Sequence, residues 1–202
     1  MPPTTDERTT LLLVRHAETI WNAERRYAGH REVALAPGSA EQIARLTPLL
    51  VAEHPSVVYS SPLTRCLETI YPTAKALNLS IHLELGLRER NLGQWEGRSE
   101  AEIRREHPNF HFPLDGYSGA FEVPGSEPIH HLQRRIQAVM QRAAERHPGE
   151  CILLGTHAGV IWTILSLLND TAAPPPWPAN TMILHLHYED ASFRIATTVE
   201  AE

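Results

Sequence analysis

The sequence predicts an α/β fold: a three-layer helix–sheet–helix sandwich built on a mostly parallel central sheet. Three observations point to it. Two short, wholly apolar runs, Leu11–Val14 and Cys151–Leu154, lack the alternation of a half-exposed strand and read as strands buried on both faces. Such runs alternate along the chain with stretches whose apolar residues recur at helical spacing. Both runs also break off into polar groups beside small residues, Arg15-His16-Ala17 after the first and Gly155-Thr156-His157-Ala158-Gly159 after the second. At 202 residues the chain suits one domain. Residues 1–9 are expected to be a flexible tail and 10–202 the domain, with a lid or cap over about 99–128.

Taken in order, the first strand spans Thr10–Arg15. Glu24–Leu35 has no clean period and reads as a loop. Ser39 is placed to cap a helix whose apolar positions are Ile43, Leu46, Leu49 and Leu50. Val57–Tyr59 is a second strand. Ser61 and Pro62 suit the cap and first position of another helix, with Leu63, Leu67, Ile70 and Tyr71 facing inward. Ile81–Leu85 alternates as a third strand. A charged loop follows over Gly86–Gly97, then a short helix over Glu100–His107, stopped by Pro108. Asn109–Pro128 is irregular and holds Phe110, Phe112, Tyr117 and Phe121; a loop of that length without a period suits a binding lid. The longest helix is predicted from Ser126 to about Arg146. After the Cys151 strand comes a strongly apolar helix over Val160–Leu168, a stiff connection over Ala172–Pro178, and a closing hairpin of Met182–His187 with Ser192–Thr198.

The formal net charge is −6, with 18 Lys and Arg against 24 Asp and Glu, which argues against nucleic acid or an anionic membrane as the main partner. Any anion site must then be a local cluster of arginines. Two cysteines, no disulfide framework and no secretory leader point to a reducing, cytoplasmic setting. No apolar run is long enough to span a bilayer. His185 and His187 share a strand face, but they read as ordinary strand residues, and neither His107/His111 nor His130-His131 has metal-ligand geometry, so no metal is expected.

If both apolar strands are central, His16 and His157 enter one pocket at the carboxyl edge of the sheet, where ligands of open α/β folds bind. Arg65 lies on the first turn of the helix after the second strand. The N-terminus of such a helix favours an anion through its free N–H groups and dipole. Arg15, Asn22, Arg65, His16 and His157 are therefore candidates to surround one tetrahedral oxyanion.

Arg15-His16-Ala17-Glu18-Thr19 with Asn22 resembles the signature of the histidine phosphatase superfamily, in its phosphoglycerate-mutase-like branch. Four further blocks resemble that family in order: Ser60–Thr69, Leu87–Gly97, Pro124–Glu127 and Gly155–Gly159. The resemblance implies that His16 is the nucleophile and forms a phosphohistidine. It implies that Arg15, Asn22, Arg65 and His157 hold the phosphoryl oxygens. Glu89 is implied as proton donor to the leaving oxygen and then base for water, which makes His16, Glu89 and His157 the catalytic set. Gly29, Arg88, Phe110, Phe112 and Phe121 are placed at the substrate rim. Ala17 stands where the family usually has Gly. The paired arginines and proline run that grip a carboxylate in the mutases are not found; Arg104-Arg105 is the nearest pair, in different surroundings. The expectation is a metal-independent phosphatase, without cofactor, acting on a small phosphorylated metabolite, with a homodimer left open. A phosphoglycerate mutase and a non-catalytic phosphate-binding module are the alternatives.

Overall fold

The structure, a computed structural model, describes residues 8–119, 121, 123–169, 171 and 173–200. Its six strands are β1 Thr9–Arg15, β2 Val57–Ser60, β3 Ile81–Leu83, β4 Cys151–Thr156, β5 Ile183–Glu189 and β6 Ser192–Val199. They form one sheet in the order β3-β2-β4-β1-β5-β6. β1 runs parallel to β4, and β2 runs parallel to β4 and β3, whereas β5 and β6 pair antiparallel. The helices are α1 Ile20–Ala23, α2 Ser39–Ala52, α3 Thr64–Ala76, α4 Glu100–Glu106, α5 Ile129–Arg146 and α6 Ala158–Leu168.

The unbroken apolar run of β1 has a simple cause: the strand lies between β4 and β5 and is covered on both faces. Leu11 and Leu13 pack with Ile152 and Leu154 under Leu132, Ile136 and Val139 of α5 and Val160, Ile161 and Ile164 of α6. Leu12 and Val14 face the other way, with Val58 and Leu153, onto Leu46 and Leu50 of α2 and Ile70 and Ala74 of α3. These two clusters are the interfaces of a three-layer sandwich. Each fully buried leucine contributes about 2 kcal/mol from area removed from water. Among the described residues no helix is long and apolar enough to cross a membrane.

Several local expectations are corrected. Residues 1–7 of the expected tail lie outside the described residues, but Thr9 belongs to β1 and is buried, its hydroxyl donating to His147 O and accepting from Gly149 N. Ser39 does not cap α2: Gly38 holds that position, and the Ser39 hydroxyl donates back to Ala36 O at 2.7 Å. Ser61 and Pro62 precede α3 without capping it, because the chain stays extended through Leu63 and the Ser61 hydroxyl serves a histidine instead. Tyr71 and Leu49 are exposed rather than inward. The buried face of α3 is Cys66, Thr69, Ile70, Thr73 and Ala74, mostly small side chains. That helix approaches β4 so closely that a Cβ at Gly155 would meet both Ile70 and Ser60 at 3.0 Å. The third strand stops at Leu83 and passes into a 3₁₀ turn, Leu85–Leu87. α5 begins at Ile129 rather than Ser126, since Ser126 bridges to Leu92 and Pro128 takes the cap.

The segment after α4 folds around its own small core. Tyr27 stacks on Trp95 at 5.8 Å, Phe110 meets Trp95 edge-on at 5.2 Å, and the Tyr27 hydroxyl donates to Pro113 O at 2.6 Å. α4 is secured by a capping box in which Ser99 and Glu102 satisfy each other's backbone N–H.

Candidate active site

In β1 and β4, Arg15 lies opposite Thr156, so the next residues, His16 and His157, leave the sheet side by side. Their rings meet edge to face, centroids 5.2 Å apart. β2 ends on the other side of β4, with Ser60 opposite Gly155, and α3 then delivers Arg65 to the same edge. The loop after Leu87 brings in Glu89, and the Thr156 hydroxyl secures it by donating to Leu87 O at 2.8 Å. Arg15, His16, Arg65, Glu89 and Asn22 line one cavity of about 240 Å³.

His16 is almost completely buried. Its Nδ1 is 2.7 Å from Ala17 O. A carbonyl only accepts, so Nδ1 carries the proton and Nε2 keeps its lone pair. Burial, reinforced by the positive charges of Arg65 and Arg15, holds the pKa well below 6.5. The ring is thus a neutral imidazole with a free nucleophilic nitrogen.

Arg15 donates from Nη1 to Pro178 O at 2.6 Å, and burial lowers its pKa to about 10 against the opposing pull of Glu89. Arg65 is 1% exposed and donates to Arg31 O and Gly29 O, both at 2.9 Å. In each guanidinium the Nε is buried without a partner. Two cations held by carbonyls, each with an unmet donor, are the arrangement an oxyanion completes. Gly29 permits this by a left-handed backbone, φ +51°.

Asn22 closes a capping box on α1, its Oδ1 accepting from the Thr19 N–H and hydroxyl. Its oxygen is spent, which leaves the amide N–H donors for the cavity it lines. His157 is fully buried behind His16 and does not line the cavity wall. Its Nε2 lies 2.8 Å from the Ser61 hydroxyl, and burial, then Arg65 and His16, lower its pKa well below 6.5. Cys66 Sγ stands 3.4 Å from that nitrogen, but burial pushes the thiol up to about 12, so it packs as a thiol.

Glu89 is 6% exposed. Its Oε1 accepts from Arg90 N at 2.8 Å and its Oε2 from Gly159 N at 3.0 Å, in the first turn of α6. A Cβ on Gly159 would overlap both the Glu89 carboxylate and the Tyr117 ring. The Glu89 carbonyl accepts from His30 Nε2 and Arg135 Nη2. Arg135, on α5, also takes the carbonyls of Gly86 and Arg88 at 2.7 Å and pairs with Glu127. One side chain therefore holds three carbonyls at the start of this loop.

Of the residues expected at the rim, Gly29 and Phe112 line the cavity. Arg88, Phe110 and Phe121 do not. Arg88 turns back to Leu85 O, Phe110 is buried in the satellite core, and Phe121 packs against Trp95, His107 and Phe110. Sequence reasoning gave no role to Tyr117, Trp177 and Asn180, which do line it, or to Arg135. The aromatic content of the segment over 109–128 flagged Tyr117 without a partner; Trp177 was visible only as part of a proline-rich connection. Among the described residues, no group of three or more His, Cys, Asp or Glu gathers as a metal site.

The family model for the histidine phosphatase superfamily (branch 1) matches residues 11–200. The chain is similar to phosphoglycerate mutase-like protein 4 of Arabidopsis thaliana, 33% identical over 176 residues, 86% of this chain and 76% of that protein. It is 31% identical to the metal-independent phosphoserine phosphatase of the same plant over 184 residues, 89% of this chain and 77% of the other. Among solved structures, YhfR of Bacillus stearothermophilus superposes with a TM-score of 0.84 at 29% identity, covering 96% of this chain and 100% of that one.

Proposed function

Since the chain belongs to the histidine phosphatase superfamily, branch 1, we propose that it hydrolyses a small phosphomonoester through a phosphohistidine on His16. The observation that carries this reading is the pair of buried guanidiniums with unmet Nε donors beside a neutral imidazole whose Nε2 lone pair is free.

In the first step His16 Nε2 bonds to phosphorus as the bond to the alcohol oxygen breaks. The Glu89 carboxyl passes its proton to that oxygen. Arg15, Arg65 and the Asn22 amide hold the phosphoryl oxygens, which in this kind of transfer is most of the catalytic task. In the second step the Glu89 carboxylate takes a proton from water as the water oxygen attacks phosphorus. The N–P bond breaks, its electron pair returns to Nε2, and phosphate leaves. His157, set behind the nucleophile, keeps that side of the ring dry and fixed. The positive charge comes from arginine, so no metal or other cofactor has a part in either step.

The cavity, about 240 Å³, is smaller than the roughly 300–1,000 Å³ of drug-sized ligand pockets, which suits a small metabolite. The phosphoserine phosphatase relative supports hydrolysis of such a compound. The mutase-like relative favours a second reading, phosphate transfer within a phosphoglycerate. Two free cysteines suit a reducing cytoplasmic compartment.

The test is a panel of phosphorylated metabolites scored for released phosphate against isomerised product, with His16→Ala as control. Hydrolysis is expected to dominate, and enzyme quenched in alkaline detergent should carry phosphate that is stable to base and released by acid. Turnover that survives His16→Ala in folded protein would end the mechanism.

A further inference from the structure

We propose that Gln42 is a positioning residue for the His16 nucleophile, acting through the peptide unit that joins Ala17 to Glu18. The inference rests on the reading of His16 given above.

His16 Nδ1 meets Ala17 O at 2.7 Å, and the N–H of the same peptide unit, that of Glu18, donates to Gln42 Oε1 at 2.8 Å. A backbone N–H is met only by the amide oxygen, which fixes the orientation of the glutamine head. The peptide unit is planar and trans. Its C=O and N–H therefore point in opposite directions, and holding the one aims the other. Hydrogen bonds in such a chain also polarise one another. The carbonyl facing the imidazole is thus both aimed and strengthened as an acceptor by a side chain on its far side.

The fold explains how a residue 24 positions beyond Glu18 comes to serve it. After β1 the chain returns antiparallel to itself. Thr19 bridges to Leu35, and Ala36 N–H donates to Glu18 O at 2.8 Å. α2 starts soon afterwards at Ser39, so its first turn, which holds Gln42, lies against the nucleophile loop. The neighbouring backbone groups are held independently. Ala17 N–H donates to Thr69 Oγ1 at 2.9 Å, and that hydroxyl donates to Arg65 O at 2.7 Å. His16 N–H donates to Thr156 O at 3.1 Å. Loss of the glutamine acceptor frees one peptide unit and leaves the rest of the turn in place.

That unit matters twice. Nδ1 must carry the proton if Nε2 is to keep its lone pair, and the Ala17 carbonyl sets this tautomer. When Nε2 bonds to phosphorus the ring becomes cationic, and a charged donor makes a stronger bond to the same carbonyl. Gln42 therefore acts on the formation of the phosphohistidine and not on capture of the phosphoryl oxygens, which the reading above gives to Arg15, Arg65 and Asn22.

Gln42→Met keeps the length of the side chain and removes its acceptor oxygen. On p-nitrophenyl phosphate, kcat/KM reports the steps through release of the alcohol. It should fall roughly tenfold, the upper scale of one neutral hydrogen bond, while the Kd for inorganic phosphate stays within about twofold of native. Nitrogen-15 spectra of the imidazoles give the second readout, with His16 assigned by its absence in His16→Ala. Native His16 should show a protonated Nδ1 and a bare Nε2, and in Gln42→Met the two shifts should move toward each other as the tautomers mix. Gln42→Glu restores an oxygen at the same reach and should recover most of the lost rate. A His16 spectrum in Gln42→Met identical to native would overturn this inference alone. So would phosphate binding that weakens in step with kcat/KM, the mark of a general disturbance of the pocket. Turnover that survives His16→Ala would instead remove the reading on which the inference rests, and the spectra, which need no substrate, would still decide whether Gln42 sets the ring.

Discussion

Arg65→Lys conserves charge and changes only geometry. The native guanidinium spends Nη1 on Arg31 O and Nη2 on Gly29 O, and retains Nε for a ligand. Lysine offers three donors on a single nitrogen and cannot span two carbonyls while also reaching an oxyanion. At least one charge-assisted hydrogen bond is lost, worth about 1.5–3 kcal/mol, or roughly ten- to a hundredfold in affinity. Isothermal titration of inorganic phosphate into native and variant protein reads this directly, without turnover. Urea unfolding of the same samples separates site loss from fold loss, since Arg65 is buried beside the Gly29 turn. The variant should weaken phosphate binding by that factor while remaining folded, and kcat/KM should fall with it. Phosphate affinity within twofold of native would mean that this arginine does not hold the oxyanion, and the site would need a different anchor.

His16 and His157 are both held well below 6.5, so the unfolded chain takes up protons that the native chain refuses as pH falls through that value. Stability is then full above that range and lost on acidification, and His16→Gln should flatten the slope between about pH 6 and pH 5 by about 1.4 kcal/mol per pH unit in urea titrations; an unchanged slope would contradict a neutral buried ring. Arg135→Ala leaves three loop carbonyls and Glu127 without their cation and should cost about 3 kcal/mol of stability together with most of kcat; a shift in urea midpoint alone, with kcat intact, would show that the loop holds its course unaided. Gly159→Ala should lower kcat at least about tenfold by displacing both the Glu89 carboxyl and the Tyr117 ring; near-native kinetics would mean that the helix start can yield. EDTA dialysis should leave turnover on p-nitrophenyl phosphate unchanged, and inhibition reversed by added metal would favour a metal enzyme.

How much of this was legible depended on the range of the interaction. The apolar runs of β1 and β4 announced the centre of the sheet because burial on both faces suppresses alternation. The polar residues directly after them could be placed at its carboxyl edge, where Arg15, His16 and His157 are found. Helix starts were misread at Ser39 and Ser61, whose hydroxyls went to Ala36 O and to His157 rather than to helix N–H groups. A serine before an apolar run does not reveal which distant acceptor will compete for it. On α3, Ile70 faces inward as its spacing predicts, but Tyr71 does not, because close approach to β4 favours small residues over large ones. The phenylalanines of the segment after α4 looked like a rim, but Phe110 and Phe121 belong to its small aromatic core. Arg135 left no trace, since its partners are backbone carbonyls, which every sequence has.

The order of the strands also governs when the protein can first act. β1 is made first, yet β4 and β5, its neighbours in the sheet, come from the far end of the chain. Arg15 is anchored by Pro178, 163 positions away, and Ser61 meets His157 across 96. Contacts of such high sequence separation form late and slow folding. A nascent chain on the ribosome thus carries His16 well before it has a pocket, which waits for the strands and helix after residue 150. On the hydrolytic reading proposed above, phosphate esters in the surrounding solution meet no assembled site before then.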